Sequence, residues 1–464
     1  MMSKKSLLVF LFFYISIEKT NAQRILSKST DTTTLQSALR KSHVEARFRL
    51  YLMGTDYAHS LTDYHALAFG GGLKFETGSY KGFRIGISGF FIWNLGSSDL
   101  TKPDSVTQVK NRYEIGQFDV ENPANRNDMD RIEDFYLRYE KKGLKITYGK
   151  QEIQTPFVNP QDGRMRPTSE QGLWVQYTSN DKFDIETGWL YRISPRGTVR
   201  WFGIDESIGI YPSGVNVFGS KSNYRQHLKS SGVGILGIRF KPNPSLTIQF
   251  WDHYVDRIFN TSMMQADGEW NIGEDKKLIG GFQYVFQHPL KDGGNPDPLM
   301  TYFDKRDRAQ IFSMRTGVRK RETIIQINAT RITADGRFLM PREWGREPFY
   351  TFMPRERNEG AGDVKAISFN FIRQFPQKNI RFECGYGYYD MPDVRDSKFN
   401  KYQMPSYQQF LMNIRYKFTG FLTGLNAEIL YVYKKNSAET YGDFRYVINK
   451  VDMQHLDLIL NYKL

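Results

Sequence analysis

The chain holds one cysteine, Cys384, among 464 residues. A single thiol forbids an intramolecular disulfide and excludes a thiolate metal cluster. The seven histidines form no H-E-x-x-H pair, and no G-x-S-x-G nucleophile elbow occurs. His59-Ser60, a pair that a barrel-borne hydrolase would use, reads as loop. Gly70-Gly71-Gly72 falls within a strand pattern, where it marks a bend or close packing rather than a phosphate cradle. Enzymatic activity, a cofactor and a metal are therefore not expected.

Long apolar runs are equally scarce. The only one, Leu7 to Ile17, is too short to span a bilayer of ~30 Å as a helix. Lys4 and Lys5 precede it and Thr20-Asn21-Ala22 stand before Gln23, so residues 1–22 read as a removable secretory signal. No cysteine follows that signal, which argues against a lipid-anchored lipoprotein. Residues 23–43 read as an N-terminal extension, too short for the plug domain of an energised receptor. Taking 22 residues from 464 leaves 442.

The chain as a whole is rich in rings yet polar on average, with 15% aromatics and a mean hydropathy of −0.55. The formal charge of +14 falls to +12 once Lys4, Lys5, Lys19 and Glu18 are removed. A basic excess suits nucleic acid, a membrane surface or small anions, and export makes nucleic acid the poorest of these partners.

Alternation recurs across residues 44–464. Val44, Ala46, Phe48, Leu50 and Leu52 interleave with Glu45, Arg47 and Arg49. Phe83, Ile85 and Ile87 enclose Arg84. Two runs around Leu137 and Ile146 are separated by a tight hairpin at Glu140 to Gly143. The same rhythm marks Phe410 to Phe418, where Leu411, Asn413, Arg415 and Lys417 lie between apolar residues, and it continues through Leu456 to Leu464. Period two is the signature of strands. Short connections such as Lys141 to Gly143 and Thr419 to Thr423 contrast with long polar ones such as Leu95 to Asp130 and Thr333 to Gly362.

Two architectures use such strands. In a soluble sandwich the apolar faces meet in a core; in a transmembrane antiparallel β-barrel they face lipid. Three features favour the barrel. Aromatic residues such as Tyr139, Tyr148, Trp189, Phe240, Tyr433 and Tyr462 stand near strand ends, where interfacial girdles lie. Long and short connections alternate, and the last strand runs to the carboxyl terminus, as closure on the first requires. Eighteen strands would take about 25 residues each with connections, and sixteen is the alternative count. Parity then points Arg47, Arg49, Arg84, Arg138, Lys145, Arg239, Arg315, Arg319, Arg381, Arg415 and Lys417 into a water-filled lumen. Opposing acids by the same parity are Glu45, Asp134, Asp184, Glu186, Glu383, Glu428 and Asp457.

Residues 149–172, GKQEIQTPFVNPQDGRMRPTSEQG, resemble a strand, loop and strand of the OprD-type outer-membrane porins: a G-x-Q strand end, then T-P, then R-x-x-P. Gly149, Gln151, Thr155, Pro156, Asn159, Asp162, Arg164, Met165, Pro167 and Gly172 carry the match. Residues 69–89 resemble that family's early hairpin. The resemblance implies an 18-stranded barrel, monomeric or loosely trimeric, in the outer membrane. It implies passive diffusion of small water-soluble nutrients, often carboxylate-bearing, past a ladder of basic side chains. It also implies an inward-folded loop at about 155–167, with Asp162, Arg164 and Arg166 as constriction charges. A structural or adhesive barrel is the alternative. The terminal leucine departs from the phenylalanine common in the family.

Overall fold

The computed structural model describes residues 31–58, 60–161, 163–179 and 182–464. The expected signal, His59 and Asp162 lie outside the described residues. Before the first strand, a short helix α1 (Leu35–Arg40) starts where Thr34 Oγ1 accepts from the Ser37 amide at 3.2 Å. Sequence periodicity gave no sign of it.

The barrel strands run in chain order. The first six are β1 (His43–Tyr57), β2 (Tyr64–Glu76), β3 (Phe83–Ser97), β4 (Arg131–Lys141), β5 (Leu144–Gln151) and β6 (Ser169–Ser179). Next come β7 (Phe183–Ser194), β8 (Val233–Asn243), β9 (Leu246–Val255), β10 (Phe259–Asn271), β11 (Lys276–Pro289) and β12 (Ala309–Lys320). The last are β13 (Thr323–Ile332), β14 (Val364–Phe375), β15 (Ile380–Asp390), β16 (Tyr407–Lys417), β17 (Leu425–Asn436) and β18 (Met453–Lys463). A two-residue ladder at Phe202–Gly203 adds to β7 without entering the wall. Each strand pairs antiparallel with its neighbours in sequence. β1 and β18 close the ring from Arg47↔Lys463 to Tyr57↔Met453. Closure satisfies every strand edge, which a lipid environment demands because it offers no hydrogen bonds.

Loop length separates the two rims. Connections β2–β3, β4–β5, β6–β7, β8–β9, β10–β11, β12–β13, β14–β15 and β16–β17 are all short, and β1 begins and β18 ends on that rim. The opposite rim carries the long loops 98–130, 195–232, 290–308, 333–363, 391–406 and 437–452. Short periplasmic turns and long external loops are the usual polarity of such barrels. Val44, Ile85, Phe135, Met314, Ile327 and Leu460 stand exposed on one face of their strands, where lipid covers them.

The interior departs from a uniform polar column. Toward the long-loop rim it is filled by apolar packing. Inward residues such as Tyr51, Met53, Ile92, Trp174, Val285, Tyr407 and Val432 are buried against Phe157, Val158, Met165, Phe338, Trp344, Phe349 and Met353 from two in-folded segments, 152–168 and 333–363. Inward glycines make room for this. A Cβ on Gly387 of β15 would stand 2.7 Å from Met353 Cε. The hydrophobic core is thus the junction between wall and plugging loops, while the half nearer the short turns keeps charged side chains.

Candidate functional site

The lumen is built from staves whose inward positions face each other across antiparallel pairs, so charges on adjacent staves meet directly. Eight of the eleven wall bases expected from parity form ion pairs among the described residues. Arg47 pairs with Glu133; Arg84 and Arg138 share Glu76 at 3.7 and 3.1 Å; Arg239 meets Asp184 at 3.5 Å. Arg315 meets Asp267 at 2.6 Å and Arg319 meets Glu269 at 2.7 Å. Arg381 pairs with Glu383 at 3.5 Å and Arg415 with Glu428 at 3.0 Å. Arg49 donates to Asn461 Oδ1 at 2.6 Å and to the Arg164 carbonyl. Lys145 and Lys417 have no ion-pair partner among the described residues. Four partner acids, Glu76, Glu133, Asp267 and Glu269, escaped the parity count, so the wall is closer to neutral than that count implied.

The two in-folded segments brace one another and reach staves on opposite sides of the ring, which only a path through the lumen allows. Asn159 donates its amide to the Trp344 carbonyl at 2.9 Å. From segment 333–363, Tyr350 Oη donates to Asp267 of β10 at 2.6 Å and the Leu339 carbonyl accepts from Gln287 of β11 at 2.7 Å. The Thr351 carbonyl accepts from Tyr389 of β15 at 2.7 Å, and the Pro354 carbonyl accepts from Gln409 of β16 at 2.7 Å.

The anchor on β18 is the most elaborate. Arg355 Nη2 donates to Asp457 Oδ2 at 2.5 Å and its Nε to His455 Nε2 at 2.7 Å. That leaves His455 Nδ1–H to donate to Thr55 Oγ1 at 2.7 Å, and the Thr55 hydroxyl to donate to Glu114 Oε1 at 2.5 Å. A threonine, histidine and aspartate in line suggest a hydrolytic triad, but all three are wholly buried. The network is a clamp that ties segment 333–363 and loop 98–130 to the wall.

The expected constriction residues divide. Arg164 lines the cavity formed by the long loops. Arg166 is otherwise placed. Only 1% exposed, it donates to the Met129 carbonyl beneath the loop and stacks near Phe90, so it props the segment instead of facing solute. Its burial follows from the loop's path, which turns Met165 and Arg166 into the wall.

That cavity, about 1120 Å³, is where the basic excess resides. Thirteen Lys and Arg side chains line it against Glu121, Glu356 and Glu359. Arg112, Arg196, Arg342, Arg357, Lys401 and Lys450 come from five different long loops. Crowded cations raise one another's cost of ionisation. Burial first, and the Arg342 guanidinium next, pull Arg112 down to about 10; burial and Arg164 pull Arg196 down to about 9. Lys450 falls to about 7 through burial and Arg112, and Lys401 to about 8 mainly through burial. Lys401 Nζ sits among the rings of Tyr302, Tyr224 and Tyr402 at 4.6, 4.8 and 5.2 Å. Strand parity could not find these residues because they lie on loops. The signal available was the density of arginines in R-F-L-M-P-R-E-W-G-R and F-M-P-R-E-R, both within 337–357.

A closed eighteen-stave barrel with lipid-facing apolar residues, a charged lumen and loops folded into it is an outer-membrane channel. Residues 125–336 match the family model described as outer membrane porin, OprD family. Solved structures of similar fold include OccAB1 of Acinetobacter baumannii, 11% identical over 94% of this chain and 99% of that one, with a TM-score of 0.72. OccAB4 of the same organism is 15% identical over 94% and 100%, TM-score 0.70. OccD3 (OpdP) of Pseudomonas aeruginosa is 12% identical over 92% of each chain, TM-score 0.68. At these identities the likeness speaks for the fold. No curated protein sequence matches the chain. Over residues 125–336 the chain is similar to the OprD family of outer-membrane porins, and the fold agrees: the protein is a porin of the outer membrane, a channel for small solutes and not an enzyme.

Proposed function

We propose that this porin favours small anionic solutes, carboxylates among them, and that the selecting element is the basic vestibule made by the long loops. The observation that carries the reading is the division of charge: most wall bases stand beside an acid of their own, while the cavity is lined by thirteen bases against three acids. Low-dielectric walls focus such a field and raise the local anion concentration. Each guanidinium or ammonium replaces part of an anion's hydration, and several weak sites in series permit exit as well as entry. Arg164 is the contribution of segment 152–168, and the paired wall bases form a less selective path below. The solute gradient drives flow.

Reversal potentials in planar bilayers under a salt gradient test this. The wild type is expected to prefer chloride over potassium. Combined Arg112→Gln, Arg196→Gln and Lys450→Gln substitution is expected to reduce that preference more than Arg319→Gln with Glu269→Gln, which removes a neutral pair. Equal effects of the two would refute the division.

A further inference from the structure

The outer surface carries one feature that permeation does not use. Lys150 of β5 pairs in register with Phe135, which is 57% exposed to lipid, and with Gln171, which in turn pairs with Arg192 of β7. Directly paired residues share a face, so Lys150 and Arg192 point outward into the lipid belt. Both stand within two residues of the long-loop ends of their strands. Segment 199–203 folds back over the same spot. The Trp201 indole donates to the Ile132 carbonyl at 3.1 Å, its ring lies 4.7 Å from Lys150 Nζ, and its carbonyl accepts from Arg192 Nη2 at 3.3 Å.

Among the described residues neither cation has a carboxylate partner. In this they differ from Arg331, which meets Asp363 at 2.5 Å, and from Lys365, which meets Asp390 at 3.9 Å, both outward charges at the same rim. A lone cation facing hydrocarbon is unfavourable at the bilayer midplane and tolerated near the interface. At that height the external leaflet offers phosphate oxygens. Below the pair, Leu173 and Trp189 continue the apolar face that acyl chains would cover. Arg200 is held by Glu121 at 2.8 Å and stays outside the site.

We propose that Lys150 and Arg192, steadied by Trp201, bind the phosphate of an anionic, phosphate-bearing lipid of the outer leaflet. Two cations converge from strands separated by one stave, a spacing suited to one phosphate with several oxygens.

The test uses the detergent-solubilised full barrel and native mass spectrometry. It is titrated with phosphorylated lipid A, with the same lipid after dephosphorylation, and with inorganic phosphate. The wild type should retain phosphorylated lipid A saturably, and Lys150→Gln with Arg192→Gln should weaken retention about 30-fold, each cation contributing about fivefold. Lys435→Gln, an outward cation on β17 without a neighbouring one, should leave it unchanged, and Lys150→Arg with Arg192→Lys should preserve it. Heat-modifiable migration on gels reports closure of each variant; should the double variant fail to close, the two single variants carry the test. Equal retention of dephosphorylated lipid, displacement by inorganic phosphate, or undiminished retention by closed variants would overturn the proposal.

Discussion

Asp457→Asn isolates the clamp on segment 333–363. The change is isosteric, and its backbone pairing in the β1–β18 seam, opposite Met53, is untouched. What it removes is the counter-charge for Arg355, whose side chain is 8% exposed and lies 2.5 Å away. Leaving one member of a buried pair unpartnered costs about 3–5 kcal/mol. The segment's remaining anchors are ordinary hydrogen bonds, such as Gln409 to Pro354 and Lys434 Nζ to the Arg355 carbonyl at 3.1 Å. Each contributes about 0.5–1.5 kcal/mol net. The loss therefore matches several of them together, and withdrawal of the segment toward solvent, which rehydrates the guanidinium, is the cheaper response. The barrel itself, held by backbone ladders, has no reason to open. Single-channel recording should show larger mean conductance and added open-channel noise, with the barrel's thermal transition little changed. Adding Arg355→Gln removes the orphaned charge and should return the noise toward wild type. Conductance and noise indistinguishable from wild type in Asp457→Asn alone would refute the clamp.

Other outcomes follow from the same geometry. Lys450, at about 7, and Lys401, at about 8, are cationic at pH 6 and lose their protons as pH rises; Arg112, Arg445 and Asp443 surround the former. Anion preference should thus fall between pH 6 and pH 9, and a flat profile would contradict the vestibule's role. Raising ionic strength from 0.1 to 1 M shortens the screening length from about 10 to 3 Å, so the preference read from reversal potentials should shrink with salt. Gly387→Leu forces a side chain into Met353 and should destabilise by about 1–3 kcal/mol or lift the segment, seen as a lowered thermal midpoint or raised conductance.

The barrel was legible because lipid outside imposes period two wherever the inward residue is polar. β12, β14, β16 and β18 show this plainly. β10 does not: its inward positions include Phe259 and Met263, which pack on in-folded loops, and its outward positions Asn260 and Ser262 lie at the rim. There the contrast between faces inverts, and with it went Asp267 and Glu269, the partners of Arg315 and Arg319. Glu76 and Glu133 were missed in the same way, on strands whose alternation is interrupted by the glycines of β2 and the bulge between β3 and β4. The vestibule was illegible for a different reason. Its cations converge from separate loops whose paths depend on tertiary anchors such as Arg355–Asp457, and no local period records them.

This division has a mechanical consequence. Most wall bases are paired, because each stands between two staves and an unmatched charge there weakens the packing of the staves. Loop charges bear no such duty. Net charge can accumulate there without touching the ring, at the expense only of the loops' own seating. Substitutions in the vestibule should therefore alter selectivity at nearly constant barrel stability, whereas breaking one wall pair, as in Glu269→Ala opposite Arg319, should alter stability more than selectivity. Measuring thermal midpoint and reversal potential for both classes of variant separates the two. A vestibule variant that lowers the midpoint as far as a broken wall pair would show that the loops carry the barrel as well as the filter.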